Sequence, residues 1–124
     1  MANPQFSVSV VVTPIAERTD PSRSEYSYAY TVTIKNSGDI AAQLIARHWV
    51  IADQHGQVQE VRGLGVVGHQ PLLQPGERFE YTSWTQLATQ QGSMRGSYFC
   101  YTQDAWPFEA EVPEFVLGNT SALH

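Results

Sequence analysis

Cysteine, lysine and charge are all scarce in this 124-residue chain. Cys100 is the only cysteine. A lone thiol cannot close an internal disulfide, which argues against a small secreted fold held by staples. Lys35 is the only lysine, and the arginines are scattered along the chain. Seven basic residues against twelve acidic ones leave a formal net charge of −5. A nucleic-acid groove needs clustered positive charge to displace counterions, so nucleic acid is not an expected partner. The same shortage argues against an anionic membrane surface. No apolar run approaches the ~20 residues that span a bilayer. The start, Met1-Ala2-Asn3-Pro4, has no basic segment followed by an apolar stretch, so no signal peptide is read and a cytoplasmic location is expected.

What is abundant points to strands. Hydrophobic residues make up 42% of the chain and charged ones only 15%, with many Val, Thr, Tyr and Ser. The length favours one domain over residues 1–124, with 118–124 as a short tail. Alternation with a period of two recurs. Phe6, Val8, Val10 and Val12 share one face of a first strand, and Tyr26, Tyr28, Tyr30, Val32 and Ile34 repeat the pattern. That second run ends at the turn-forming Asn36-Ser37-Gly38-Asp39. Ala42–Asp53 is apolar on both faces in places, as a central strand should be, and Gln54–Gln57 reads as a hairpin turn into Val58 and Val61. Residues 63–76 read as a long loop, with a type II turn at Gln74-Pro75-Gly76-Glu77. Arg78–Thr85, Arg95–Thr102 and Phe108–Leu117 complete the strands. Pro113 marks the last as an edge strand or a bulge. Short strands without a convincing helix predict an all-β sandwich of two antiparallel sheets, with Trp49, Tyr30 and Val32 packed between them.

The motifs that carry chemistry are few. Gly63-Leu64-Gly65-Val66-Val67-Gly68 spells G-x-G-x-x-G, but Pro71 and Pro75 follow too soon for the helix of a dinucleotide fold. A Gly-rich loop can still turn backbone N–H groups toward an anion, and Arg62 and His69 flank this one. Arg62, Gly63, Gly65, Gly68 and His69 are therefore the candidate anion loop, set against glycines that only permit tight geometry. The four histidines, His48, His55, His69 and His124, lack metal-site spacing, and a composite site with Asp53 or Glu60 is unspecific. No metal or cofactor is expected. There is no G-x-S-x-G elbow, and Cys100 between Phe99 and Tyr101 reads as an inert thiol. Glu109 and Glu111 share a strand face and read as solubilising charge. Trp84 and Trp106, near strand ends, are candidate protein-interface anchors.

Larger blocks carry a family resemblance. They are Arg47-His48-Trp49-Val50-Ile51, then Glu60-Val61-Arg62-Gly63-Leu64-Gly65-Val66-Val67-Gly68-His69-Gln70-Pro71, then Leu73–Ser83 and Gly92–Tyr98. Together with Tyr28–Ile34 and the late Phe108, Pro113, Phe115 and Leu117, they resemble the bacterial ApaG family over nearly the whole chain. Trp84 and Gln90 depart from the Gly and Pro that relatives commonly carry there. The resemblance implies an immunoglobulin- or fibronectin type III-like sandwich and links to cobalt resistance and magnesium efflux, without an established enzyme activity. Related domains end some F-box proteins, where they look like protein-recognition modules. Bacterial members are often encoded near a diadenosine tetraphosphatase, which makes a phosphorylated ligand an alternative.

The expectation is a non-enzymatic binding module, with a protein partner first. A phosphate-containing small molecule such as pyrophosphate or a nucleotide, held at residues 62–71, is second. Hydrolysis of phosphorylated substrates is third, since no positioned base or metal is visible.

Overall fold

The computed structural model describes residues 2–118, which form two antiparallel sheets packed face to face around one core. The strands are β1 Phe6–Pro14, β2 Tyr26–Asn36, β3 Ala42–Asp53, β4 Val58–Leu64, β5 Leu72–Leu73, β6 Arg78–Leu87, β7 Gly92–Thr102 and β8 Pro107–Leu117. One sheet has the order β1-β2-β6, and the other β4-β3-β7-β8 with β5 beside β3. Two 3-10 turns, Ala16–Arg18 and Pro21–Arg23, occupy the β1–β2 connection. Of the tail expected at 118–124, residues 119–124, His124 among them, lie outside the described residues.

The period-two runs became the inner faces of the sheets. Tyr28, Tyr30, Val32 and Ile34 of β2 are buried, with β1 and β6 in antiparallel register on either side. Leu44, Trp49 and Ile51 of β3 and Met94, Tyr98 and Cys100 of β7 face them from the other sheet. The Trp49 indole sits at the centre, edge-on to Tyr30, Tyr98 and Phe115 at 5.8, 5.9 and 6.1 Å between centroids. Buried Asn36 is fully employed. Its amide donates to the Ile40 and Leu73 carbonyls at 2.9 Å each, and its oxygen accepts from the Gly38 N–H at 2.9 Å. Pro113 sits on the edge strand β8, where the register to β7 slips between Met94↔Phe115 and Gly96↔Val112. The missing N–H and the bulge thus fall together.

One expectation is corrected. Residues 63–76 are not one long loop: β4 runs to Leu64, a tight turn follows, and β5 pairs with Ala42 and Gln43. Val66 and His69 exchange backbone hydrogen bonds of 2.8 and 2.9 Å around Val67 (φ 48°) and Gly68 (φ 80°). Positive φ at both central residues is the hairpin geometry that matches strand twist. The turn at 74–77 is as expected, with Gly76 at φ 88° and Glu77 N–H donating to Gln74 at 2.9 Å.

Gly96 lets β7 close against Trp49. A methyl group there would lie 2.7 Å from Trp49 Cε3 and nearer still to the His48 carbonyl oxygen. Gly96→Ala is expected to cost about 1–3 kcal/mol, as overpacking of a tight core does. The urea midpoint checks this, and an unchanged midpoint would mean the two strands are not that close.

Candidate functional site

The surface richest in functional groups is the outer face of the larger sheet. Trp49, Tyr98 and Ala110 point into the core, so their neighbours in sequence point out. Three cross-strand rows result. Arg62, His48, Ser97 and Glu111 form one, in the order β4, β3, β7, β8. Leu64, Ala46, Phe99 and Glu109 form the next. Glu60, Val50 and Arg95 lie on the other side of the first. A shallow groove of about 500 Å³ runs over this region, lined by Ala46, His48, Arg62, Leu64, Ser97, Phe99 and Glu109 among others.

Its charges are loosely coupled. The Glu60 carboxylate lies 3.7 Å from both His48 Nε2 and an Arg62 guanidinium nitrogen. Arg62 is largely exposed, so its pair with Glu60 adds little stability. His48 Nε2 is itself buried without a hydrogen-bond partner. Among the described residues no group of three or more His, Cys, Asp or Glu side chains is placed to hold a metal ion; His48 and Glu60 supply two donors.

The structure separates the residues of the candidate anion loop. Arg62 projects into the groove, whereas His69 packs its ring on Phe79 of β6, 5.6 Å away in the opposite sheet. Gly63 lies in the β3–β4 ladder opposite Arg47. A Cβ on Gly63 would fall 2.8 Å from the Arg47 guanidinium, which donates at 3.0 Å to the carbonyls of Leu64 and Gly65. Gly65 (φ 64°) donates its N–H to Ile45 at 2.7 Å, and Gly68 is at the turn tip. The amides of Gly65, Val66 and His69 are thus spent on backbone carbonyls. Pyrophosphate at millimolar concentration is expected to leave the Gly65 and His69 amide resonances of isotope-labelled protein unmoved. Shifts confined to them would restore the loop as an anion site.

Arg47 is the site residue that sequence reasoning missed. It shares the inward register of Trp49 and Ile51, an unusual place for a guanidinium, and a glycine stands opposite. That combination was the available signal. Also missed was a strip of exposed apolar side chains: Leu64 is 75% exposed, Leu72 57%, Tyr101 40% and Phe99 36%. The Phe99 and Tyr101 rings meet edge to face at 5.1 Å. Gln43 links the strip, pairing with both Leu72 and Tyr101.

The two candidate anchors lie elsewhere. Trp84 is exposed on the outer face of the smaller sheet, with the Arg18 guanidinium 5.1 Å from its ring centroid. Trp106 is exposed in the β7–β8 turn, beside Ala2 and Pro4. Trp84 thus lies on β6 of the smaller sheet and Trp106 in a turn that joins two strands of the larger one. Cys100 is fully buried, and burial pushes its thiol up to about 12, which suppresses the reactive thiolate.

A family model described as the ApaG domain matches residues 16–102. The chain is 52% identical to the protein ApaG of Ralstonia nicotianae over 124 residues, the full length of both. It is 57% identical to that of Dechloromonas aromatica over 110 residues, 89% of this chain and 87% of the other. A crystal structure of a Bordetella pertussis protein bearing the name ApaA matches with a TM-score of 0.91 at 52% identity, covering 93% of this chain and 94% of that one. The fold, the matched segment and the full-length relatives agree, and the chain belongs to the ApaG family.

Proposed function

We propose that this chain is a non-enzymatic protein-recognition module that docks its partner on the outer face of the larger sheet. The observation that carries the reading is the strip of Leu64, Leu72, Phe99 and Tyr101. The solvated face of an antiparallel sheet is ordinarily polar. A strip of exposed apolar side chains on it marks a contact surface, and paired aromatics are the usual anchors of one. The polar rim of Arg62, Glu60, Glu109 and Glu111 fits the same pattern. The cobalt and magnesium links that the resemblance implies are then consequences of a protein contact. A cytoplasmic setting agrees with a single cysteine kept as a thiol.

Hydrolysis is less well supported. His48 stands opposite Ser97 across β3 and β7, but on an open sheet face that does not shield a reaction from water.

The test compares three immobilised proteins in lysate of the native host. Proteins retained by the parent and by Trp84→Ala should be lost on Phe99→Glu, because removing an anchor costs about 2 kcal/mol, roughly 30-fold in affinity. Unaltered circular dichroism would exclude misfolding. Equal retention by Phe99→Glu would overturn the assignment of the face.

A further inference from the structure

The two sheets close on one edge and part on the other. We infer that the open edge is a binding cleft for a small organic carboxylate, seated on the Arg47 guanidinium. The cleft lies between the sheets, so it does not depend on the outer face proposed for protein docking.

Side-chain size accounts for the difference between the edges. Where β1 faces β8, Phe6 meets Phe108 edge to face at 5.5 Å and fills the gap. Where β4 faces β6, the inward positions are small or polar. On β4 they are Gln59, Val61 and Gly63, opposite Ile51, Trp49 and Arg47. On β6 they are Ser83 and Thr85, which alternate in register with the buried Tyr81 and Leu87. A cleft of about 230 Å³ remains, with the core side chains Trp49 and Met94 in its lining.

The polar groups that reach this cleft are donors left without acceptors. The Arg47 guanidinium lies against Gly63 and bonds through Nη1 to the Leu64 and Gly65 carbonyls. Among the described residues its Nη2 and Nε donors have no partner, and no carboxylate pairs with it. Tyr30 and Trp49 line the same cleft and are only 7% and 3% exposed. Among the described residues, the Tyr30 hydroxyl and the Trp49 indole N–H also lack a partner. The one sealed, unpartnered side-chain atom among those residues is His48 Nε2, so these donors open on the cleft rather than into dry core. Burial raises the Tyr81 and Tyr98 phenols and the Arg47 charge opposes that rise, which puts the guanidinium on the core side of its strand.

A cation set inside a fold is ordinarily paired, because its lost hydration must be replaced. The groups converging here all donate, so the partner that completes them is an anionic acceptor. A carboxylate matches the planar fork of a guanidinium. Its apolar body rests on Trp49 and Met94, where a second charge would be stranded. The volume is below the roughly 300–1,000 Å³ of a drug-sized site, so the ligand is small. Pyrophosphate, with several charges and no apolar part, is the wrong class.

Benzoate titrated into the isotope-labelled full chain tests this, with its neutral isostere benzamide as control. Benzoate at ~1–20 mM should shift the Trp49 indole N–H and the Met94 methyl saturably, while the Trp106 indole stays still. Benzamide should move neither. Tyr30→Phe, which removes only a hydroxyl, should weaken binding about tenfold, the worth of one hydrogen bond to a charged group. Arg47→Met should abolish binding, and Arg95→Ala, which removes a cation from the outer face, should leave it unchanged. If circular dichroism shows that Arg47→Met does not fold, Tyr30→Phe carries the test. Resonances unmoved by ~20 mM benzoate, benzamide binding as well as benzoate, or a folded variant of Arg47 or Tyr30 that binds as the parent does would each overturn the site.

Discussion

Trp49→Ala is expected to lower the unfolding free energy by about 3–5 kcal/mol, the range for deleting a large buried aromatic. The indole is 3% exposed and stands edge-on to three other rings, one of them on the opposite sheet. Truncation therefore removes the burial of the indole and three aromatic contacts together, and it leaves a hole where both sheets meet. The surroundings cannot close it cheaply. Gly96 already brings the β7 backbone as near to β3 as it can come. Natural domains are stable by only about 5–15 kcal/mol, so this one change removes a large part of the margin. Urea denaturation followed by far-UV circular dichroism measures it. Trp49→Phe, which keeps an aromatic ring in place, should cost less. A midpoint that barely moves in Trp49→Ala would show that the core is held elsewhere.

The parts of the fold legible in the sequence are those where one face is dry and the other wet. In β2 the tyrosines, Val32 and Ile34 alternate with small polar residues because only one face meets the core. β3 was legible from a different signal, its length and its density of apolar residues, with Leu44, Trp49 and Ile51 buried in the core. β4 was legible only at its start, through the hairpin turn into Val58 and Val61; its run to Leu64 was not, because a border strand that buries little has no pattern to read. β5 has only two residues and is tied in by the Asn36 amide, a contact between distant residues. The turn between them was obscured by Val67, a β-branched residue at positive φ where Asn or Gly is the usual signal.

Much the same holds for the candidate site. Phe99 and Tyr101 stand two apart on one strand, but that spacing does not say what lies beside them. That depends on the strand order β4-β3-β7-β8, which brings Leu64 and Leu72 to the same surface from remote sequence. The Gly-rich motif drew attention to the right hairpin for a different reason. Its glycines seat the Arg47 guanidinium and form a turn, and their amides serve the hairpin.

The largest pH effect is expected on the alkaline side. The Tyr81 and Tyr98 hydroxyls form a buried hydrogen bond of 2.5 Å between the sheets. Burial raises both phenols above their usual 10.0. Cys100, in the same core, is pushed from 9.0 to about 12. For an acid whose folded pKa lies above its unfolded value, the contribution to stability is whole below the unfolded pKa. It is then lost as pH rises toward the folded one. Stability should therefore begin to fall above pH ~9 as the unfolded thiol ionises, and more steeply above pH ~10 when the two tyrosines join it. Each group removes about 1.4 kcal/mol per pH unit, and the three together about 4. A domain of ordinary stability should then unfold cooperatively near pH ~11–12. The tyrosinate absorbance of Tyr81 and Tyr98 should appear in one step, together with loss of near-UV circular dichroism. Tyr98→Phe alone should destabilise at neutral pH, because it leaves the Tyr81 hydroxyl buried without its partner at a cost of about 1–3 kcal/mol. Tyr81→Phe with Tyr98→Phe removes both ends of the bond and both ionisations. That double variant should be nearly as stable as the parent at pH 7 and should unfold at higher pH. If it unfolds at the parent's alkaline midpoint, the buried hydroxyl pair is not what limits the fold in base.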